Sequence, residues 1–176
     1  CMDCQNTEHF FQSGRALYEY EPIKESIYRF KYEGRKEYAE FYGKELAKRF
    51  GGQLKEWKID ALVPVPMHID KVKKRGYNQA FLIAKVLGEE INIPVRDEIV
   101  KRVRATLPQK QLNGKERQNN LKNAFKMGKN DVKLNTVVVV DDIYTTGATM
   151  DAVTECLKSA GVKKVYCISL TVGRGM

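Results

Sequence analysis

The chain has 176 residues, 43% hydrophobic and 30% charged, which is enough for one domain with a packed core, or one plus a small appendage. It shows no secretory signal and no apolar run near the roughly 20 residues that span a bilayer. We therefore expect a cytoplasmic protein without a transmembrane segment. The net charge of +9 favours an anionic partner, namely a phosphorylated small molecule, a nucleic acid or a membrane surface.

Short apolar runs separated by amphipathic stretches predict strands that alternate with helices along the chain. The predicted strands are residues 16–20, 59–65, 98–103, 136–140 and 165–172. The predicted helices are residues 23–30, 38–46, 78–90, 115–125 and 148–160. This alternation predicts an α/β fold with a mainly parallel central sheet flanked by helices.

The most informative stretch is VVVVDDIYTTGAT at residues 137–149. Four consecutive valines predict a strand buried on both faces, so Asp141 and Asp142 should follow it at the carboxyl edge of the sheet, where open α/β folds bind ligands. Hydroxyls and backbone N–H groups come next at a helix N-terminus, which suits a phosphate. They belong to Thr145, Thr146, Gly147, Ala148 and Thr149. The alternative is an ordinary loop whose carboxylates are merely solvated.

A second segment, VPVPMHIDKVKKRGYNQA at residues 63–80, also follows a predicted strand and precedes a predicted helix. Pro66 stiffens the exit from the strand, and Gly76 permits a tight turn. Arg75 could hold a phosphate through two hydrogen bonds, and Asn78 could cap the following helix. These features fit a pyrophosphate. The alternative is a basic surface loop before a capped helix.

Both segments resemble those of a known family. Residues 137–149 look like the phosphoribosyl-pyrophosphate (PRPP) motif of type I phosphoribosyltransferases. VPVP-x-H and RGYNQA, within residues 63–80, are similar to the pyrophosphate loop of the ComF family, although Ile69 stands where that family usually has proline. Two further stretches agree: RFKY-x-G at residues 29–34, and T-x-x-Q-x-x-L with R-x-x-N at residues 106–120.

The resemblance implies a type I phosphoribosyltransferase-like fold, PRPP as ligand or substrate, and Mg²⁺ as cofactor. The acidic pair would hold the ribose hydroxyls directly or through Mg²⁺, the Thr/Gly loop the 5-phosphate, and the basic segment the pyrophosphate. The residues implied to bind PRPP are Asp141, Asp142, Thr145, Thr146, Gly147, Ala148, Thr149, Pro66, Arg75, Gly76 and Asn78. Those implied to act in catalysis are Asp141, Asp142, Arg75 and Arg117.

ComF proteins are associated with natural competence, the uptake of transforming single-stranded DNA. Two functions remain open from the sequence. The first is an enzyme that transfers phosphoribosyl to an acceptor, with a basic loop at residues 104–117 closing as a lid. The second is a non-catalytic module that binds PRPP and single-stranded DNA. Competence-machinery proteins are further expected partners.

Positive charge is concentrated in parts of the chain. Residues 101–129 contain nine Lys or Arg and a single acid, Glu116. Single-stranded DNA would bind such a surface through its backbone phosphates. The residues expected to contact nucleic acid are Lys71, Lys73, Lys74, Arg104, Lys110 and Lys115. The alternative is a solvated basic face that only keeps the protein soluble.

Cys1 and Cys4 form a C-x-x-C, which is half of a tetrahedral zinc site. They resemble the tail of the ComF family's N-terminal zinc finger, so we expect Zn²⁺ to bind only in a longer chain. Residues 1–13 are predicted to be the remnant of that region, and residues 14–176 the phosphoribosyltransferase-like domain. His9 is interpreted as a polar loop residue, or as a weak candidate ligand.

Overall fold

The computed structural model describes residues 7–104, 121, 123–128 and 133–173. Its centre is a four-stranded sheet in the order β1-β6-β5-β2, and all three pairings in it are parallel. These strands are β1 Ser13–Glu19, β2 Ala61–Pro64, β5 Thr136–Tyr144 and β6 Lys164–Val172. A separate antiparallel pair consists of β3 Val100–Arg102 and β4 Phe125–Met127. The predicted α/β fold with a mainly parallel sheet is confirmed.

Five helices are described: α1 Tyr20–Tyr32, α2 Tyr38–Glu56, α3 Ile69–Arg75, α4 Gln79–Ile91 and α5 Ala148–Ser159. Among the described residues, no helix is long and apolar enough to cross a membrane. Hydrophobic residues of α1, α2 and α4 pack on one face of the sheet, while those of α5 and the β3–β4 pair pack on the other.

The valines of β5 show why this strand lies at the centre. Side chains alternate between the two faces of a strand, so neighbouring valines enter different cores. Val137 and Val139 pack with the α5 side, and Val138 and Val140 pack with the α1, α2 and α4 side. All four are completely buried, as a parallel strand covered by helices requires.

Asp141 and Asp142 lie at the carboxyl edge of the sheet because the neighbouring strands end at different positions. β2 ends at Pro64, which pairs with Val140, whereas β5 continues beside β6 as far as Tyr144. The sequence predicted that β5 would end at Val140; Asp141 and Asp142 instead belong to the strand. They lie beyond the end of β2, where one side of β5 no longer has a neighbouring strand.

Two further predictions of secondary structure differ from the structure. Residues 69–75 of the expected loop form the short helix α3, which ends at Gly76 with a φ of +85°. Phe125, predicted as the last residue of a helix, begins strand β4 because it pairs with Arg102 of β3. Phe125 is in a strand because of its pairing with a distant part of the chain, and the local periodicity of the sequence does not indicate such pairing.

Candidate functional site

The acidic pair is held by its own backbone and by a lysine from a distant helix. The backbone N–H of Asp142 donates to Oδ1 of Asp141 over 2.8 Å. Nζ of Lys31, in the last turn of α1, lies 2.9 Å from Oδ2 of Asp142. The two side chains of this ion pair are only 17% and 13% exposed. Lys31 was not among the predicted site residues, although it lies within the RFKY-x-G stretch.

Asp141 is the residue whose ionisation is most strongly affected. Burial and then the neighbouring negative charge of Asp142 raise the pKa of Asp141 to about 7. The hydrogen bond from Asp142 N–H and the positive charges of Lys31 and Arg102 act in the opposite direction. Ionisation of this carboxyl group is therefore disfavoured, and an arriving cation would favour the ionised form.

Lys31 and Arg102 act on the acidic pair, and Lys71 and Arg75 lie near these two cations. Partial burial lowers the pKa of Lys71, and the charges of Arg102, Arg75 and Lys31 lower it further, in that order. Burial also lowers the pKa of Arg102, which Asp141 partly offsets. The guanidinium carbon of Arg102 is 5.4 Å from the ring centroid of Phe125. Mutual repulsion among these cations would fall if a polyanion bound between them.

Neither Arg102 nor Lys31 was given a role by the sequence analysis, although Lys31 lies within the RFKY-x-G stretch that resembles the ComF family. Each lies at the end of an element, and only the sheet topology brings them to the acidic pair. Lys71, which the sequence predicted to contact nucleic acid, is exposed on α3 and lies near Arg102, Arg75 and Lys31. A pattern of charges along the chain cannot distinguish a surface stripe from a converging cluster.

The loop 145–149 opens helix α5 as predicted. Gly147 is the N-cap residue with a φ of +70°, and Ala148 is the first residue of the helix. The hydroxyl Oγ1 of Thr146 is buried and has no hydrogen-bond partner among the described residues. A buried hydroxyl without a partner is costly, and a phosphate oxygen reaching the loop would satisfy it. The loop therefore suits an anion.

His9 packs directly behind this loop. Its side chain is 5% exposed, with Nδ1 2.8 Å from Oδ2 of Asp151 in the first turn of α5. Nε2 lies 3.1 Å from the hydroxyl of Tyr144, and the ring stacks on Phe11 at 4.7 Å between centroids. A Cβ added to Gly147 would lie 2.6 Å from Cε1 of His9. His9 is thus a buried support of the loop, which no local sequence signal indicated.

The basic segment after β2 is tied to both the strand and the next helix. Asn78 caps α4, since its Oδ1 accepts from Ala80 N–H over 3.1 Å, while its Nδ2 donates to the carbonyl of Val65 over 3.0 Å. Arg75 donates from Nη1 to Oε1 of Gln79 over 2.6 Å. Pro66 is half-buried at the end of the strand. The predicted cap is confirmed.

The other predicted residues fall into two groups. Lys73 and Lys74 on α3, and Arg104 after β3, are exposed. Lys110, Lys115, Arg117, Cys1 and Cys4 lie outside the described residues. Within the described ranges no three His, Cys, Asp or Glu side chains are grouped as a metal site would require.

Comparison with known proteins identifies the family. Residues 43–174, which include strands β2, β5 and β6 of the four-stranded sheet and the segments 63–80 and 145–149, match the phosphoribosyl transferase domain. The chain belongs to the phosphoribosyltransferase domain family. The predicted type I phosphoribosyltransferase-like fold is confirmed by this match together with the parallel sheet.

The relatives to which the chain is similar include two competence proteins. It is 40% identical over 108 residues to competence protein F of Haemophilus influenzae, covering 60% of this chain and 47% of that protein. It is 29% identical over 177 residues to competence protein ComFC of Streptococcus pneumoniae, covering 97% of this chain and 74% of that protein. The chain therefore spans about half the length of the first of these relatives. The predicted ComF resemblance is confirmed.

Among solved structures, this chain is similar in fold to a hypoxanthine phosphoribosyltransferase from Staphylococcus aureus. That match has a TM-score of 0.46 and 15% sequence identity, covering 80% of this chain and 74% of the other.

Proposed function

We propose that this chain is a ComF-like protein that binds PRPP and acts in the uptake of single-stranded DNA during natural competence. One observation carries the proposal: the acidic pair, the loop 145–149 and four cations converge at one edge of a parallel sheet. Ligands of open α/β folds bind at this edge. The names of the relatives, competence protein F and competence protein ComFC, support the biological role.

PRPP has three groups that match the three parts of this site. Its 5-phosphate would bind the loop, where Thr146 holds a buried hydroxyl without a partner among the described residues. Its ribose hydroxyls would meet the carboxylates of Asp141 and Asp142. Its pyrophosphate would lie among the cations, with Lys71 and Arg75 on α3 and Arg75 bonded to Gln79 at the start of α4.

The acidic pair fits Mg²⁺ by the chemistry of its donors, because hard cations prefer carboxylate oxygens. Asp141 is the better candidate ligand, since Asp142 already shares its charge with Lys31. When bound, Mg²⁺ would supply positive charge to the oxygens of the pyrophosphate. The protein's part is to hold the ribose rigidly between the acidic pair and the loop.

Transfer of the phosphoribosyl group would break the bond from C1 to pyrophosphate and form one from C1 to an acceptor. The leaving pyrophosphate gains negative charge, which Arg75, Lys71 and Arg102 are positioned to stabilise. Arg117, in the basic loop 104–117, is proposed to stabilise the leaving pyrophosphate as well. The acceptor is unidentified, so the alternative is a module that binds PRPP without turnover.

A thermal-shift series tests PRPP binding. PRPP, ribose 5-phosphate and pyrophosphate are compared, each with and without Mg²⁺. PRPP should raise the melting temperature most because it bridges both loops, and a ligand at 100 times its Kd stabilises by about 2.7 kcal/mol. Asp142→Asn should lose most of this shift. The matched control is Asp97→Asn, which removes an exposed carboxylate. Equal shifts for the two variants would refute the assignment.

Turnover is tested separately by following pyrophosphate release from PRPP in the presence of nucleobases, nucleotides and oligonucleotides. Release that depends on one acceptor class supports the enzyme. PRPP binding with no release in any mixture supports the non-catalytic module.

The DNA-uptake role predicts binding of single-stranded DNA. The net charge of +9 and the exposed Lys73 and Lys74 support this partner. Lys73→Gln/Lys74→Gln should reduce the dependence of log Kd on log salt by about 0.7 for each lost phosphate contact. The control pair Lys55→Gln/Lys58→Gln removes exposed charges near the amino end of β2, at the opposite edge of the sheet. An unchanged slope in the α3 variant would contradict this assignment.

A further inference from the structure

Helix α1 presents two large aromatic side chains to solvent at the border of the PRPP site. Tyr28 is 56% exposed and Tyr32 is 63% exposed. Being four residues apart, they lie on one face of the helix and contact each other, with ring centroids 5.0 Å apart. The opposite face of the same turns is buried through Ile27 and Phe30. The tyrosines therefore contribute little to the core, and their exposure needs another explanation.

The surroundings of the two rings are strongly cationic. The guanidinium carbon of Arg75 lies 5.1 Å from the ring centroid of Tyr32. Residues 28–36 add four cations, Arg29, Lys31, Arg35 and Lys36, against the single acid Glu33. Exposed aromatic rings can stack on unpaired nucleobases, and cations beside the rings can bind the phosphates of the same strand.

The two tyrosines are carried by a fixed part of the molecule. The hydroxyl of Tyr77 donates to the carbonyl of Phe30, and Lys31 pairs with Asp142, so the last turn of α1 is attached to the turn between α3 and α4 and to the sheet. A rigid aromatic pair loses less conformational entropy on binding than a mobile one. Because Tyr32 follows Lys31 and contacts Arg75, a base stacked there would lie beside the proposed pyrophosphate position.

We propose that Tyr28 and Tyr32 form a stacking platform for the bases of single-stranded DNA, with Arg75 and the exposed cations Arg29, Arg35 and Lys36 contacting its phosphates. This inference rests on the proposed function, in which single-stranded DNA is a partner, and it names where the bases bind. Stacking is tolerant of sequence, so binding should show little base preference.

Fluorescence anisotropy with a labelled oligothymidylate tests the platform. Tyr28→Ala/Tyr32→Ala should weaken binding about 10-fold or more, since each stacked base contributes substantially to affinity. The slope of log Kd against log salt should stay unchanged, because no charge is lost. Tyr28→Phe/Tyr32→Phe keeps both rings and should bind like the unmodified chain. The control Phe10→Ala removes an aromatic of similar exposure, 55%, from the segment that contacts α5, and should have no effect.

A strand of the same length with abasic sites separates stacking from charge. The unmodified chain should bind it about 10-fold more weakly than oligothymidylate, and the double alanine variant should not distinguish the two strands. Equal affinity of the unmodified chain for both strands would overturn the platform. PRPP-induced thermal shifts, measured on every variant, establish that the fold and the PRPP site are intact.

The outcomes separate this inference from the proposed function beneath it. If the unmodified chain binds no single-stranded DNA even at low salt, the DNA partner itself is wrong and the platform falls with it. If the chain binds DNA but the double alanine variant binds equally well, only the platform is wrong. A third outcome is that the unmodified chain sediments as a dimer and the tyrosine variants as monomers, with unchanged DNA affinity. The two rings would then contact a second copy of the chain, which also overturns the proposal.

Discussion

At the scale of single residues, the acidic pair stands out because its two neighbouring carboxyl groups reduce the stability of the fold. Asp141 is placed where burial and the charge of Asp142 oppose its ionisation, and only part of this is offset by Lys31 and Arg102. Such an arrangement is unfavourable in the unliganded protein and is relieved when a cation or hydroxyl donors arrive.

Asp141→Asn should make the unliganded protein more stable above pH 7. The folded pKa of about 7 exceeds the ordinary value of 3.8, so the protonated carboxyl stabilises the fold. That contribution is complete below about pH 4 and is lost as pH rises through 7, whereas asparagine never ionises. The gain should be on the order of 1–3 kcal/mol. Melting temperatures measured from pH 4 to pH 9 test this, and a difference that does not vary with pH would contradict it.

Lys31→Met should destabilise the protein by about 2 kcal/mol, because it leaves the largely buried Asp142 carboxylate without its cation. Lys44→Met is the matched control, since it breaks the exposed pair with Glu40 on α2 and should be nearly neutral. Urea unfolding of Lys31→Met, Asp142→Asn and the double variant gives the coupling energy of the pair. A coupling near zero would mean that Lys31 only packs against the site.

At the scale of elements, the loop 145–149 depends on support from behind. His9 and Tyr144 contact each other over 3.1 Å and fill the space next to Gly147, so the loop and the segment before β1 are packed as one unit. A substitution in the loop or in the segment before β1 should therefore alter the proposed phosphate position.

Gly147→Ala should be more destabilising than Gly34→Ala, although the two glycines have nearly equal φ values of +70° and +71°. Both variants put alanine in the left-handed region, at about 1–2 kcal/mol. At Gly34 nothing lies within 4 Å of the new Cβ, whereas at Gly147 it would meet His9 and the Tyr144 hydroxyl. PRPP binding should weaken only in Gly147→Ala, and His9→Ala should partly restore its stability. Equal losses of stability in the two glycine variants would show that the His9 contact is unimportant.

The order of elements could be predicted from the sequence because local patterns determine it. The four valines of β5, the Asn78 cap and the position of Gly147 each have a local cause that periodicity or turn chemistry reveals. The contacts of Lys31, Arg102 and His9 could not be predicted, since each depends on segments far away in the chain. The extension of β5 through the acidic pair also needed the pairing with β6.

At the scale of the whole molecule, the site joins parts of the chain that are far apart in sequence. Lys31 comes from α1, Lys71 and Arg75 from α3, Arg102 from β3, and the acidic pair from β5. PRPP would connect these segments across the edge of the sheet. The central claim is therefore that this edge binds PRPP through Asp141 and Asp142.

The most direct test is calorimetric titration of PRPP, with Mg²⁺, into the unmodified chain, Asp141→Asn and Asp142→Asn. The account predicts saturable binding by the unmodified chain that weakens without Mg²⁺. Each variant should lose on the order of 1.5–3 kcal/mol of binding free energy, the contribution of a hydrogen bond to a charged group. For Asp141→Asn this loss should accompany higher stability above pH 7, which separates weaker binding from damage to the fold. Unchanged PRPP affinity in both variants would contradict the account.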